Sequence, residues 1–255
     1  MSSLCTNNLV TEMDVRMVET PRETRSYKPV AYGDVIDVIK LQAEMKLPNW
    51  EVTSTEYGLA RDDQQLFGLF RLQKKLQEEE VLEAEIIEPD DKLGLSIGFR
   101  TSHDKSLSLG VVVGAYVFVC DNLMMNTNGF KCIKRHTPNV WETFDYLLYQ
   151  TMNQAGMHFT QHEEAKKQMV QLDMGQDRGF EILGRMYGHK LLTPVQMSSA
   201  VEDWRHPAHK VFEARDAWSL YNAATMGLKK GSPSLAISRY CKAHDWFMDN
   251  LSNLQ

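Results

Sequence analysis

A chain of 255 residues, 43% hydrophobic and 24% charged, has the makeup of a soluble globular protein with a sizeable buried core. No apolar run approaches the roughly 18 residues that a bilayer-spanning helix needs, which argues against helical membrane insertion. A net charge of −6 argues against a dedicated nucleic-acid binder, but residues 1–91 hold 10 Lys/Arg against 19 Asp/Glu and residues 92–255 hold 18 against 15, so the second half is mildly basic.

In chain order, residues 1–29 are polar, with Pro21 and Pro29, and read as an extended N-terminal arm. Met1 to Asn8 lacks the basic-then-apolar pattern of a secretion signal. Residues 30–255 read as a single α+β domain, β-rich over 50–135 and helical over 137–251. Val35, Ile36, Val38, Ile39, Leu41 and Met45 predict an amphipathic helix over 34–46, stopped by Pro48. Strands follow at 52–59 and 66–72 around the polar turn Arg61-Asp62-Asp63-Gln64. Glu78 to Asp91 is an acidic run joining strands.

Leu93, Leu95, Ile97 and Phe99 alternate with Gly94, Ser96, Gly98 and Arg100, the period of a strand with one apolar face. After the turn Thr101 to Ser106, Leu107 to Val119 predicts the second strand of a hairpin. Asn128-Gly129 introduces a third strand at 130–135. Thr137-Pro138, Thr193-Pro194 and Ser232-Pro233 each have the form of a helix start, an N-cap followed by proline. The segments 160–171, 176–188 and 211–228 also read as helices. The predicted fold is an antiparallel sheet with a β-β-β-α core, followed by a helical C-terminal half.

GxGxxG, GxxxxGK[ST] and HExxH do not occur, which removes the ready nucleotide and zinc-protease readings, and no catalysis and no cofactor are expected. Cys5, Cys120, Cys132 and Cys241 form no CxxC pair and read as reduced thiols of a cytoplasmic protein in a host cell. His103 with Asp104 at the hairpin tip has two readings: outward presentation for proton transfer or phosphate contact, or a turn whose Ser102, Asp104 and Ser106 satisfy the backbone. The turn is the preferred one. Cys120-Asp121-Asn122 reads as a buried small hydrophobe before a turn rather than a nucleophile. His158 and His162 share a helix face at i, i+4 but lack an evident third metal ligand, and read as exposed. His206 and His209 fall in a loop, and no metal site is assigned. Arg100, His103, Lys105, Lys131, Lys134 and Arg135 form the candidate nucleic-acid-binding set, with Lys229, Lys230, Arg239 and Lys242 further along.

The string Ser102-His103-Asp104-Lys105-Ser106, then an apolar strand closed by Cys120-Asp121-Asn122, resembles a family of phage- and plasmid-encoded proteins of unknown function. Trp218-x-x-Tyr221-Asn222-Ala223-x-Thr225 is similar to that family's C-terminal helix motif. Lys105 stands where the family has glycine, which disfavours the left-handed turn a glycine would permit. The strand-strand-strand-helix order over 93–154 also resembles the core of single-strand annealing proteins, which assemble into rings or filaments and hold single-stranded DNA in a basic groove. That resemblance implies a homo-oligomer that binds single-stranded DNA and assists annealing or recombination. The alternative is a mobile-element inhibitor that occupies a host defence protein, with the acidic run Glu78 to Asp91 as its contact. A third reading, an enzyme using His103, Asp104 and Asn122, needs residues from opposite ends of a long strand to meet.

Overall fold

The structure, a computed structural model, describes residues 4, 8–75, 92–127 and 132–251. One antiparallel sheet is built from β1 (Leu9–Val10), β2 (Trp50–Ala60), β3 (Gln65–Lys74), β4 (Leu93–Ser102), β5 (Leu109–Val117), β6 (Leu123–Met124) and β7 (Cys132–Lys134). The strands run β1-β2-β3-β4-β5-β6 in space, and β7 also pairs with β5. The hairpin β4–β5 pairs from Leu93↔Val117 to Arg100↔Gly110. On the other edge of β5, β6 takes residues 115–116 and β7 takes residues 109–111.

Directly paired residues share a sheet face. The register therefore puts Tyr57, Gly68, Phe99, Val111 and Cys132 on one face and Gly58, Phe67, Arg100, Gly110 and Ile133 on the other. Helices cover both. On the first face Tyr57 Oη donates to Glu12 of α1 (Glu12–Met17) at 2.8 Å, and Arg16 of α1 pairs with Asp37 of α2 (Tyr32–Lys46). Cys132 Sγ on that face contacts Phe144 O of α3 (Val140–Asn153) at 4.0 Å. On the second face Arg100 Nη1 donates to Ser234 O at the start of α8 (Pro233–Asn250), at 2.8 Å. Burial on both faces is why β5 is buried along its whole length instead of showing one wet side. Phe70 and Phe99 meet edge to face at 5.2 Å, both fully buried, each worth about 1.5–3 kcal/mol of burial. Gly68 makes room for them, since a Cβ there would lie 2.0 Å from the Phe99 ring.

The C-terminal half contains α4 (Ala155–Val170), α5 (Gly175–Gly188), α6 (Pro194–Arg205), a 3-10 turn (Lys210–Ala214), α7 (Ala217–Leu228) and α8. Thr193 caps α6 with a reciprocal box: it accepts from Gln196 N, and Gln196 reaches back to Thr193 N at 3.0 Å, with Pro194 in the first turn. Every residue of α7 except Met226 is buried, so this helix is the hub of the half. At its crossing with α6 a Cβ on Gly227 would lie 2.5 Å from Gln196 O.

The α+β architecture with its strands first is as expected, and several local expectations change. Within the N-terminal segment, Glu12–Met17 is helical where an extended arm is expected. Thr11 and Asp14 form a capping box that starts α1, and Val15 is fully buried. The Thr-x-x-Asp spacing was the signal for it. Thr137-Pro138 precedes the start of α3, which begins at Val140 with Asn139 at its N-cap. The long second strand stops at Val117, and residues 118–120 form a turn. The expected helix over 211–228 is divided, because Arg215 is left-handed (φ 59°) and Asp216 caps a new start, α7. Asn128-Gly129 and residues 130–131 lie outside the described residues. Among the described residues no helix is long and apolar enough to cross a membrane.

Candidate functional site

Two polar centres lie at opposite ends of the β4–β5 hairpin. At the first, the β2–β3 and β4–β5 turns lie side by side: His103 N donates to Gln64 O (2.8 Å), Arg61 pairs with Asp104 (3.5 Å) and Gln65 Nε2 donates to Ser106 Oγ (2.6 Å). Ser102, Asp104 and Ser106 do satisfy the turn. Asp104 Oδ1 accepts from Ser106 N at 2.9 Å, and Ser102 Oγ accepts from Leu107 N at 2.9 Å. Arg61, Asp62, Asp63 and Lys105 are all left-handed here, at φ 53°, 52°, 64° and 64°. Lysine thus keeps the turn that glycine would have allowed. Such a concentration of unfavourable backbone at one edge marks a region whose shape is held by its surroundings.

Tyr27 ties the turns to the chain entering α2. Its hydroxyl donates to His103 O (2.9 Å), its ring lies 5.6 Å from the His136 ring, and the Lys105 ammonium sits 4.6 Å above it. Lys28 N donates to His136 O (3.1 Å), and His136 Nε2 is 3.2 Å from Thr101 Oγ1. Three segments, 24–30, 101–107 and 134–137, therefore meet in one joint.

The joint decides what the candidate binding residues can do. Lys105 and Arg135 are exposed, Lys28 and Lys134 half-buried, and all four belong to the joined segments. His103 is not presented outward: it is 4% exposed, its Nε2 is 2.9 Å from Val30 O, and its ring stacks on Tyr32 at 4.0 Å. Burial pushes its pKa down, so it is a neutral tie. Arg100 is committed to Ser234 on the opposite face from Lys134, which pairs with Leu109 in the Val111 row. Lys131, together with Phe130, lies outside the described residues, as does the acidic run Glu78 to Asp91.

The second centre is buried and joins two motifs far apart in sequence. Asn122 Nδ2 donates to Asn222 Oδ1 (3.0 Å) and Asn222 O (3.2 Å), and Cys120 Sγ lies 3.6 Å from Asn222 Oδ1. Asn222 Nδ2 in turn donates to Trp218 O at 2.9 Å. Lys229 Nζ, 4% exposed, donates to Cys120 O at 2.5 Å. Asp121 between them is left-handed (φ 52°) and pairs with Arg71 at 3.1 Å. Burial pushes the Cys120 thiol up to about 12, which Lys229 only partly offsets, so it is no nucleophile at neutral pH. The centre fastens the turn after β5 to the hub helix α7.

Sequence reasoning placed Lys229 only among the scattered cations and did not link it to Cys120. The signal was available: Asn222 and the C-cap Lys229, seven residues apart, fall on one side of a mostly apolar helix, and buried polar side chains need partners. Within the chain His103 and Asn122 do not meet, because Asn122 bonds Val117 at the Leu93 end of the hairpin, roughly 30 Å of strand from His103 at about 3.3 Å per residue.

His158 and His162 are not exposed: they are 3% and 0% exposed, on the stripe Ala155, Phe159, Ala165, Met169 that faces inward. His206 is exposed, and His209 lies 6.1 Å from the Phe212 ring. Arg239 bonds Gln196 (3.2 Å), Lys242 is exposed, and Lys230 lines an open groove between α6 and α7 with Asp203 and Met226. Among the described residues no three His, Cys, Asp or Glu side chains are grouped to hold a metal ion.

No curated protein and no solved structure matches this chain. Both centres, the turn at 102–106 and the Asn122–Asn222 lock, fall within the span 23–247 matched by one family model, and the chain belongs to that family, the domain of unknown function DUF932.

Proposed function

We propose that this protein, of phage or plasmid origin, binds single-stranded nucleic acid as a homo-oligomer and assists annealing or recombination. One observation carries the reading: Lys28, Lys105, Lys134 and Arg135 come from three segments that the Tyr27–His136 joint fastens at one end of the sheet. A phosphate backbone needs such clustered cations and no catalytic group. The order β4, β5, β7, α3, with the two-residue β6 between β5 and β7 and with α3 on one sheet face, is the arrangement on which the analogy to annealing proteins rests, and the analogy is one of fold alone. Arg100 and His103 drop out of the interface, since both side chains are engaged inside the protein.

Fluorescence anisotropy with a labelled oligonucleotide tests the reading. Four phosphate contacts give a slope of log K against log salt near −3, at about −0.7 per contact for a single strand. Absence of binding at low salt ends the proposal. Light scattering after size exclusion, with and without oligonucleotide, reports the assembly.

A further inference from the structure

His162 on α4 and His244 on α8 meet in the interior of the helical half. His162 is completely buried, and neither of its ring nitrogens has a hydrogen-bond partner. Its ring stands edge to face against His244, centroids 5.0 Å apart at 71°. His244 Nδ1 lies 3.1 Å from Tyr221 Oη on α7, so each of the three helices contributes one ring to the joint. The other titratable groups around the pair are His158 on α4 and Cys241 and Asp245 on α8. His158 is buried and 3.3 Å from Gln161 Oε1, and burial holds the Cys241 thiol neutral at about 12. The Asp245 carboxylate is the anion of the set, and it accepts from Thr127 N at 3.3 Å. A proton on His162 would therefore leave two N–H groups without acceptors and bring a second charge-bearing ring against the first.

We infer that the joint of α4, α7 and α8 is a proton-operated latch: charging His162 or His244 uncouples α8 from α4 and bares the sheet face that α8 covers. That face is apolar. Ile237 of α8 comes within 3.9 Å of where a Gly98 Cβ would stand, and Tyr240 closes a slot with Leu4, Phe67 and Leu69. Arg100 on the same face holds the first turn of α8 through Ser234 O. Releasing the helix converts these buried surfaces into an exposed patch.

The direction in pH follows from the neutral state of both rings. Burial first, then His244 and His158, hold His162 well below the ordinary imidazole range. Burial likewise holds His244 down to about 4, with Asp245 acting the other way. The opened state, with ordinary imidazoles near 6.5, binds more protons than the closed one, so the closed state weakens as pH falls through about 6.5 and goes on weakening until the depressed values are reached. Each histidine contributes up to about tenfold per pH unit to that equilibrium.

The test uses the full chain between pH 7.5 and 4.5, reading binding of an apolar fluorescent dye and cleavage within 229–251, with far-ultraviolet circular dichroism as the monitor of helix content. Wild type gains dye binding and C-terminal cleavage below pH 6.5 while most helix signal remains. His162→Phe, which keeps a ring of similar size, moves that transition at least about half a pH unit lower. His206→Phe, at an exposed ring, leaves it in place. An unchanged transition in His162→Phe overturns the latch. Should that variant not fold, a nuclear magnetic resonance titration of the wild-type imidazoles decides: His162 and His244 stay neutral in the intact fold well below the ordinary imidazole range, and titration of both near 6.5 overturns the latch. Oligonucleotide binding does not enter either readout.

Discussion

The two ends of the β4–β5 hairpin carry equally dense polar sequence and use it in opposite ways. At the Cys120–Asn122 end the polar groups named are spent on the protein itself: Asn122 and Lys229 are buried against Asn222 and Cys120, and Asp121, more than half exposed, pairs with Arg71. At the Ser102–Ser106 end the backbone is satisfied locally, and the ammonium and guanidinium groups of Lys105 and Arg135 reach solvent. Both ends hold left-handed residues, Asp121 at one and Lys105 at the other, so strain alone does not separate them. Burial does. A motif whose polar groups are consumed by the fold reports on architecture, and only the end with cations to spare can meet a polyanion.

Breaking the buried end has the largest expected effect. Asn222→Ala removes one of the two acceptors of the Asn122 amide, which is 1% exposed and keeps only Asn222 O at 3.2 Å, and should cost about 1–3 kcal/mol in urea unfolding. Gly227→Ala, on the same helix, sets a Cβ 2.5 Å from a backbone oxygen that has no freedom to move aside, and should cost about 1–3 kcal/mol. Any folded fraction of either variant keeps wild-type oligonucleotide affinity if the two ends are independent. A selective loss of affinity at unchanged fold would tie the lock to the interface instead.

The local grammar of this chain was readable, and its long-range pairings were not. Alternation predicted β4 and most of β5, and Thr193-Pro194 located the start of α6. Thr11-x-x-Asp14 was equally plain, but the prolines and charges around it pointed to an arm. Local pattern could not report that residues 100 apart would share an amide bridge, as Asn122 and Asn222 do. Nor did the i, i+4 spacing of His158 and His162 reveal its meaning until the apolar residues on the same stripe were counted with it. In the basic set, neighbouring residues on a strand face opposite ways, and the register sends Arg100 and Lys134 to different faces.

A milder intervention sharpens the comparison from the exposed end. The triple variant Lys105→Glu, Lys134→Glu, Arg135→Glu should leave unfolding free energy within about 0.5 kcal/mol, because the side chains carry little of the core. Its affinity for a labelled oligonucleotide at low salt should collapse, and the salt slope should flatten by about 2, at roughly 0.7 for each contact removed. Equal affinity in the triple variant would place the strand elsewhere on the protein.

The smallest effect comes from Lys105 alone, and it separates the backbone's demand from the side chain's use. At φ 64° a lysine costs about 1–2 kcal/mol that glycine does not, while glycine adds about 0.4–1 kcal/mol of disorder to the unfolded chain. Removing the ammonium also forfeits its contact with the Tyr27 ring, about 0.5–1 kcal/mol at an exposed site. For Lys105→Gly these contributions nearly cancel, leaving stability within about 0.5 kcal/mol of wild type. Lys105→Ala forfeits the ring contact without relieving the backbone, and should be less stable than the glycine variant by roughly 0.5–1 kcal/mol. Both remove the same cation, so both should lower oligonucleotide affinity alike; a glycine variant that binds like wild type would show that the turn's shape, and not its charge, is what this end of the sheet supplies.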